Sequence, residues 1–292
     1  MDNPYLILLI ETFKVTGIQL AGIFGVFFFL GFLLSKLQRW SSLNYRRAFG
    51  WKGILWTAWI GTPIHELGHY IFSIIFRHKI IEIALFRPNE ETGGLGHVDH
   101  SFKKTSIYQT LGNFFIGAAP MIFGTGILTL LLFFLLPNGK EIIQKLVNAR
   151  ESFFSLLTTI PTVFGMIFAK TNIVAWQCWL FLYLSFAISS HIAPSKQDRK
   201  GMWSGFIWIV LIIFLINFAA LLLRLDLTSY VLKTAGYLNL LTAITIFALA
   251  MSMLHYLFTL IFLHPIAMMK KNKKNTPQSS SAIPIYDKRK NK

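Results

Sequence analysis

Between residues 16 and 35 the chain carries no ionisable side chain, and this feature limits its possible folds more than any other. Twenty such residues, wound as a helix at about 1.5 Å per residue, cross a hydrocarbon layer about 30 Å thick. In lipid a segment must pair its own backbone N–H and C=O groups, so a spanning stretch is helical unless it closes into a barrel. Five further stretches read the same way: residues 53–76, 107–136, 173–193, 203–223 and 241–264. The expected fold is therefore an all-α polytopic membrane protein with about six transmembrane helices. Composition agrees. Of the 292 residues 54% are apolar and 14% are charged, against about a quarter charged in soluble domains. That balance argues against a soluble domain and against a disordered chain. The single cysteine, Cys178, rules out an intramolecular disulfide and a Cys-based zinc site.

Charge is distributed unevenly. The formal net charge is +16, and residues 270–292 hold eight Lys/Arg against one Asp. A second basic run, Lys36, Arg39, Arg46, Arg47 and Lys52, contains no acid. With no nucleic-acid-binding signature beside them, these runs point to the surface of a lipid bilayer and not to nucleic acid. The positive-inside rule places both in the cytoplasm. The apolar run 5–10 follows Asp2 and is broken at Glu11, which is not the pattern of a secretory signal. Residues 77–106 are polar and glycine-rich, with a short strand expected at 80–86. Residues 137–152 read as an interfacial amphipathic segment. Residues 153–169 are apolar but short, with Pro161 in the middle; they suit a re-entrant, an interfacial or a thin spanning piece. Four regions result: an N-terminal transmembrane helix with a basic linker at 1–52, a core at 53–202, two C-terminal transmembrane helices at 203–264, and a basic disordered tail at 265–292. Oligomeric state is not legible.

One constellation carries chemistry. Within the span 53–76 stands Pro63-Ile64-His65-Glu66-Leu67-Gly68-His69. Residues four apart share a helical face, so His65 and His69 can reach one metal ion. Two imidazoles and a third protein ligand leave a fourth position of zinc for water. Glu66 is then placed to take a proton from that water as general base and pass it to a leaving amine. Ionisable groups are costly inside a span and tend to mark function. The ordinary alternative is a structural His/Glu cluster or a non-catalytic metal site.

With these residues stated, the chain resembles the site-2 protease family of intramembrane zinc metalloproteases. The likeness extends past the five-residue motif, through Lys79-Ile-Ile-Glu-Ile-Ala-Leu-Phe-Arg-Pro88 to Gly93-Gly94. That order is similar to a membrane-associated β-hairpin following the zinc helix, as in the compact bacterial branch without a PDZ domain. The resemblance covers about residues 53–202. It implies Zn2+ as cofactor, a membrane-anchored protein as substrate, cleavage in or near its transmembrane segment, and residence in a bacterial cytoplasmic membrane. It also implies a third ligand from an Asn-x-x-Pro…Asp-Gly motif. Here the matching stretch is His191-Ile-Ala-Pro194-Ser-Lys-Gln-Asp198-Arg-Lys-Gly201, which makes Asp198 the expected ligand. The Asn position holds His191, and Arg199-Lys200 interrupt the Asp-Gly pair. That departure keeps open a second reading, an inactive homologue that binds membrane clients.

Other residues compete for roles. His97, Asp99 and His100 lie in the glycine-rich region, and His97 or His191 can serve a secondary site. Asn113, in the glycine-rich third span, is a candidate for contact with substrate. His255 reads as a bundle residue and Glu82 as the wet side of the strand. An exposed edge of that strand can capture an unwound substrate by β-addition. Shared use of His69 and Asp198 by one ion requires their two helices to run parallel, with 153–169 not spanning. On that geometry the tail and the active-site opening face the cytoplasm, and the 36–52 charges become exceptions to the positive-inside rule, with side chains that snorkel.

Overall fold

A computed structural model of the chain describes residues 4–149, 153–225, 227, 230–231 and 238–275. Helix α1 (Pro4–Phe49) runs unbroken for 46 residues. The basic stretch expected to be a linker is therefore helical as far as Phe49, because no Pro or Gly interrupts residues 36–49. Gly50, at φ 69°, ends it; that backbone geometry suits a residue without Cβ. Helix α2 (Trp51–Ile75) turns back along α1, with the Phe49 and Trp56 rings stacked at 4.7 Å. Strands β1 (Lys79–Ala84) and β2 (His97–Ser101) form an antiparallel pair, with a bulge between Ile80 and Glu82. Helix α3 (Ile107–Leu135) follows, capped by Ser106.

Next come the amphipathic α4 (Gly139–Asn148), α5 (Phe153–Ile167), the short α6 (Lys170–Ile173) and α7 (Trp176–Ser189). Helix α8 (Lys196–Leu222) precedes α9 (Asn239–Phe258), which passes through a π-helical turn, Thr259–Leu263, into α10 (His264–Asn275). The protein is thus predominantly helical with one two-stranded sheet. Among the described residues four segments are long and apolar enough to cross a membrane: Tyr5–Phe49, Ile107–Leu135, Lys196–Leu222 and Asn239–Lys270. Large apolar side chains such as Phe134 and Leu223 stand more than 70% exposed, as a lipid-facing surface requires.

Of the six expected spans, four meet the length and apolarity of a crossing among the described residues. The 173–193 stretch divides into α6 and α7, and α7 has only 14 residues, about 21 Å of helix. Pro194 disfavours helical geometry at the residue before it, which stops α7 from running on. Helix α5 is also short, at 15 residues. Helix α2 has the length, but Lys52, His65, Glu66 and His69 lower its apolar character. The boundary between core and C-terminal pair, set at 202/203, falls inside α8. The tail is helical to Asn275, and the disorder expected beyond it lies outside the described residues.

Contacts fix the directions. Trp59 donates to the Tyr183 hydroxyl at 2.7 Å, Tyr183 donates to the Trp56 carbonyl, and His65 meets the His191 carbonyl. These pairings ascend together, so α2 and α7 run parallel. Helix α8 runs against α1: Gln19 and Thr16 bond Asn217, while Ser35 meets Arg199. Helix α9 runs with α1, through Trp40–Tyr256, Asn44–Thr259 and Lys270 on the Ala48 carbonyl. Hence α7 and α8 make a single descent, interrupted at residues 190–195. The C-terminal ends of α1 and α10 share one end of the molecule. The hairpin leaves α2 at its opposite end, so the cavity beneath it does not share an end with α10. The expectation that tail and active-site opening face the same side is not met.

Candidate metal centre

The centre forms where the α7–α8 descent is interrupted against α2 and α3. His65 and His69 stand one turn apart on α2, with Nε2 atoms 3.1 Å from each other. Both Asp198 oxygens face them, Oδ1 at 3.2 Å from His69 Nε2 and Oδ2 at 3.4 Å from His65 Nε2. The three residues offer ligand atoms that all lie within 4.8 Å of one another.

Backbone carbonyls orient both rings. His65 Nδ1 lies 2.6 Å from the His191 carbonyl oxygen, and His69 Nδ1 lies 2.8 Å from that of Ile116. A carbonyl only accepts, so each Nδ1 carries a hydrogen and each ring turns its Nε2 inward. The two Nε2 atoms and the Asp198 carboxylate converge, a donor set of the kind that holds a divalent cation. Tetrahedral zinc with bonds of 2.0–2.1 Å separates its ligand atoms by about 3.3 Å. The imidazole nitrogens lie 3.1 Å apart, and each lies 3.2–3.4 Å from a different Asp198 oxygen, separations of that size.

These carbonyls are free for identifiable reasons. In a helix the Ile116 oxygen would accept from residue 120, but Pro120 has no N–H. The His191 oxygen lies past the end of α7, and the N–H of Ser195 donates to Asp198 Oδ2 at 2.6 Å. Asp198 N in turn donates to Ser195 Oγ at 3.2 Å, which completes a capping box at the start of α8. Asp198 is therefore locked at the third position of α8; it was expected in a loop at 194–201. The Ser-x-x-Asp pattern, and a proline in a span, were the sequence signals for these backbone roles; neither had been read that way.

Two glycines permit the approach. A Cβ at Gly61 would strike the Ala187 carbonyl and the His191 ring, and one at Gly117 would lie 2.6 Å from the Asp198 carbonyl oxygen. Small residues at such crossings let helix backbones come close.

A cavity of about 700 Å³ opens on the centre. Glu66 lines it, buried beside His65 and beneath Gly96, with its carboxylate held by no hydrogen bond or ion pair among the described residues. Asn113, from α3, and His97, from β2, line the same cavity. His97 does not join the three ligands; its Nε2 lies 3.5 Å from Glu82 Oε1. Glu82, on the exposed side of β1 as expected, accepts from Arg87 at 2.7 Å, which holds its carboxyl below the usual range. Glu82, His97 and Asp99 form a second, exposed group of possible ligands.

His191 differs from expectation. Its ring bonds the Ala187 carbonyl at 2.9 Å and packs on Gly61, away from the cavity. Only its backbone oxygen serves the centre. His255 behaves as a bundle residue: Nε2 meets the Tyr45 hydroxyl at 3.0 Å and the ring stacks on Phe186, while Nδ1 has no partner among the described residues.

His100 also lines the cavity and ties the hairpin down. Its Nδ1 lies 2.9 Å from His78 Nδ1, and His78 Nε2 lies 2.8 Å from the Gln109 carbonyl oxygen. The carbonyl fixes the hydrogen on His78 Nε2, so His100 donates to His78. Burial, with His78 beside it, pushes His100 down to about 4.

Comparison with known protein families, with curated proteins and with solved structures finds no match to this chain.

Proposed function

We propose that this chain is an intramembrane zinc-dependent endopeptidase that cuts a membrane-anchored protein in or near its transmembrane segment. The observation that carries the reading is the convergence of two Nε2 atoms and one carboxylate at 3.1–3.4 Å, with both Nδ1 atoms committed to carbonyls. Two imidazoles and a carboxylate are a donor set that suits zinc. His65, His69 and Asp198 would hold the ion, which supplies Lewis acidity and lowers the pKa of water.

The remaining steps belong to side chains. Glu66 takes a proton from the attacking water as oxygen bonds to the peptide carbon. It returns that proton to the nitrogen as the C–N bond breaks, so charge and atoms balance. Asn113 presents an amide to the cavity, a donor suited to the carbonyl oxygen of the bond under attack. Each strand of the two-stranded sheet keeps one unpaired edge. An unwound substrate backbone can pair there, which exposes peptide bonds that a helix hides.

The test joins metal analysis with cleavage. Purified protein is expected to hold about one zinc. Glu66→Gln keeps the zinc and stops cleavage of a membrane-anchored client, whereas Asp198→Asn loses zinc. Normal cleavage by Glu66→Gln removes Glu66 from the chemistry. Zinc retained without cleavage in the wild type favours a client-binding protein.

A further inference from the structure

A second cavity, of about 500 Å³, lies between α1 and the start of α8, and Ser195 lines both this cavity and the metal centre's. Its walls are of two kinds. Phe28 and Trp203 stack with centroids 5.6 Å apart, beside Phe27 and Phe32. Beside these rings stand Lys36, its Nζ 5.3 Å from the Phe32 ring centroid, and Arg39 from α1, with Lys196 and Arg199 from α8. Among the described residues no carboxylate lines the groove. Four basic side chains lining one groove favour an anionic occupant. Arg199 already donates to the Pro194 carbonyl at 2.7 Å, which holds its guanidinium in place. Gln38 Oε1 also belongs to this wall, buried and without a hydrogen-bond partner among the described residues; a buried acceptor calls for a donor from an occupant. The basic residues of α1 begin where its charge-free stretch 16–35 stops.

We propose that this groove binds an anionic phospholipid. Its phosphate faces Lys36, Arg39, Lys196 and Arg199, a headgroup hydroxyl donates to Gln38, and an acyl chain lies along Phe28, Phe32 and Trp203. Free phosphate would satisfy the cations but leave the aromatic floor uncovered, so the apolar half selects a lipid. The inference stands apart from the metal chemistry, since none of the three ligands lines the groove.

The test uses the full chain in phosphatidylcholine vesicles doped with phosphatidylglycerol bearing brominated acyl chains. Bromine quenches tryptophan at contact, and the contribution of Trp203 is isolated by difference from Trp203→Phe. Quenching is expected to saturate at low mole fraction of the anionic lipid. It requires far more brominated phosphatidylcholine. The double variant Lys36→Gln/Arg39→Gln raises the half-saturation point roughly thirtyfold. If that variant loses its native elution volume, Lys196→Gln, at an exposed first-turn position, takes its place with a smaller shift in the same direction. Equal quenching by the two brominated lipids overturns the proposal. So does half-saturation unchanged by loss of the cations, or displacement of the lipid by millimolar inorganic phosphate.

Discussion

Pro120 illustrates how one residue acts on the centre without touching it. Because it lacks an N–H, the Ile116 carbonyl turns to His69 Nδ1. Pro120→Ala supplies an N–H that competes for that oxygen. Partners of this kind orient ligating imidazoles, and their loss typically costs roughly ten- to a hundredfold in metal affinity. The variant should therefore bind zinc more weakly in a competitive chelator titration while circular dichroism holds its helix content. Unchanged affinity would show that His69 needs no orienting carbonyl. At this scale His65, Glu66 and His69 were legible, because i, i+4 spacing on a helix is a local property. The oxygen of His191 was not, since its ring chemistry draws attention and its backbone does the work.

Among the elements, the hairpin is held by the His78–His100 contact and by His78 stacked on Phe102. A histidine pushed below its ordinary value binds a proton more readily when detached than when packed. The packed hairpin is thus favoured at pH 7 and loses stability as pH falls through 6.5 toward about 4. Hydrogen exchange of the amides at 98–101, corrected for intrinsic rate, should accelerate at pH 5 relative to pH 7. His100→Gln should flatten that dependence; a wild-type hairpin indifferent to pH would refute the account. The strand at 80–86 was readable from its β-branched residues and its Pro/Gly bounds, and it formed at Lys79–Ala84. The start of α8 was misread as a loop, because Ser195 and Asp198 look like polar loop residues until their mutual hydrogen bonds define a cap.

For the whole molecule, direction is the informative quantity. Parallel α1 and α9 bring Arg46, Arg47 and Lys52 to the same end as Lys270. Cysteines placed singly at positions 47 and 270, in a Cys178→Ser background, should be labelled by an impermeant maleimide from the same side of the membrane. A cysteine at Glu91, in the hairpin loop, should not share that sidedness. Labelling of 47 and 270 from opposite sides would refute the parallel arrangement. Hydropathy found the lipid-facing stretches but counted 173–193 and 203–223 as separate crossings, since it carries no information on where a chain pauses without reversing.

The sequence by itself determined that the chain is helical, with stretches long and apolar enough to cross a membrane, that a short hairpin follows the second helix, and that two imidazoles and a glutamate share one stretch of that helix. Those are consequences of periodicity and solvent preference within some thirty residues. Only the tertiary structure decided which carboxylate meets the imidazoles, which carbonyls aim them, and that four cations gather over an aromatic floor. Such contacts join residues from 47 to more than a hundred positions apart. Their formation depends on close backbone approach at Gly61 and Gly117 and on helix direction, neither of which a local pattern records.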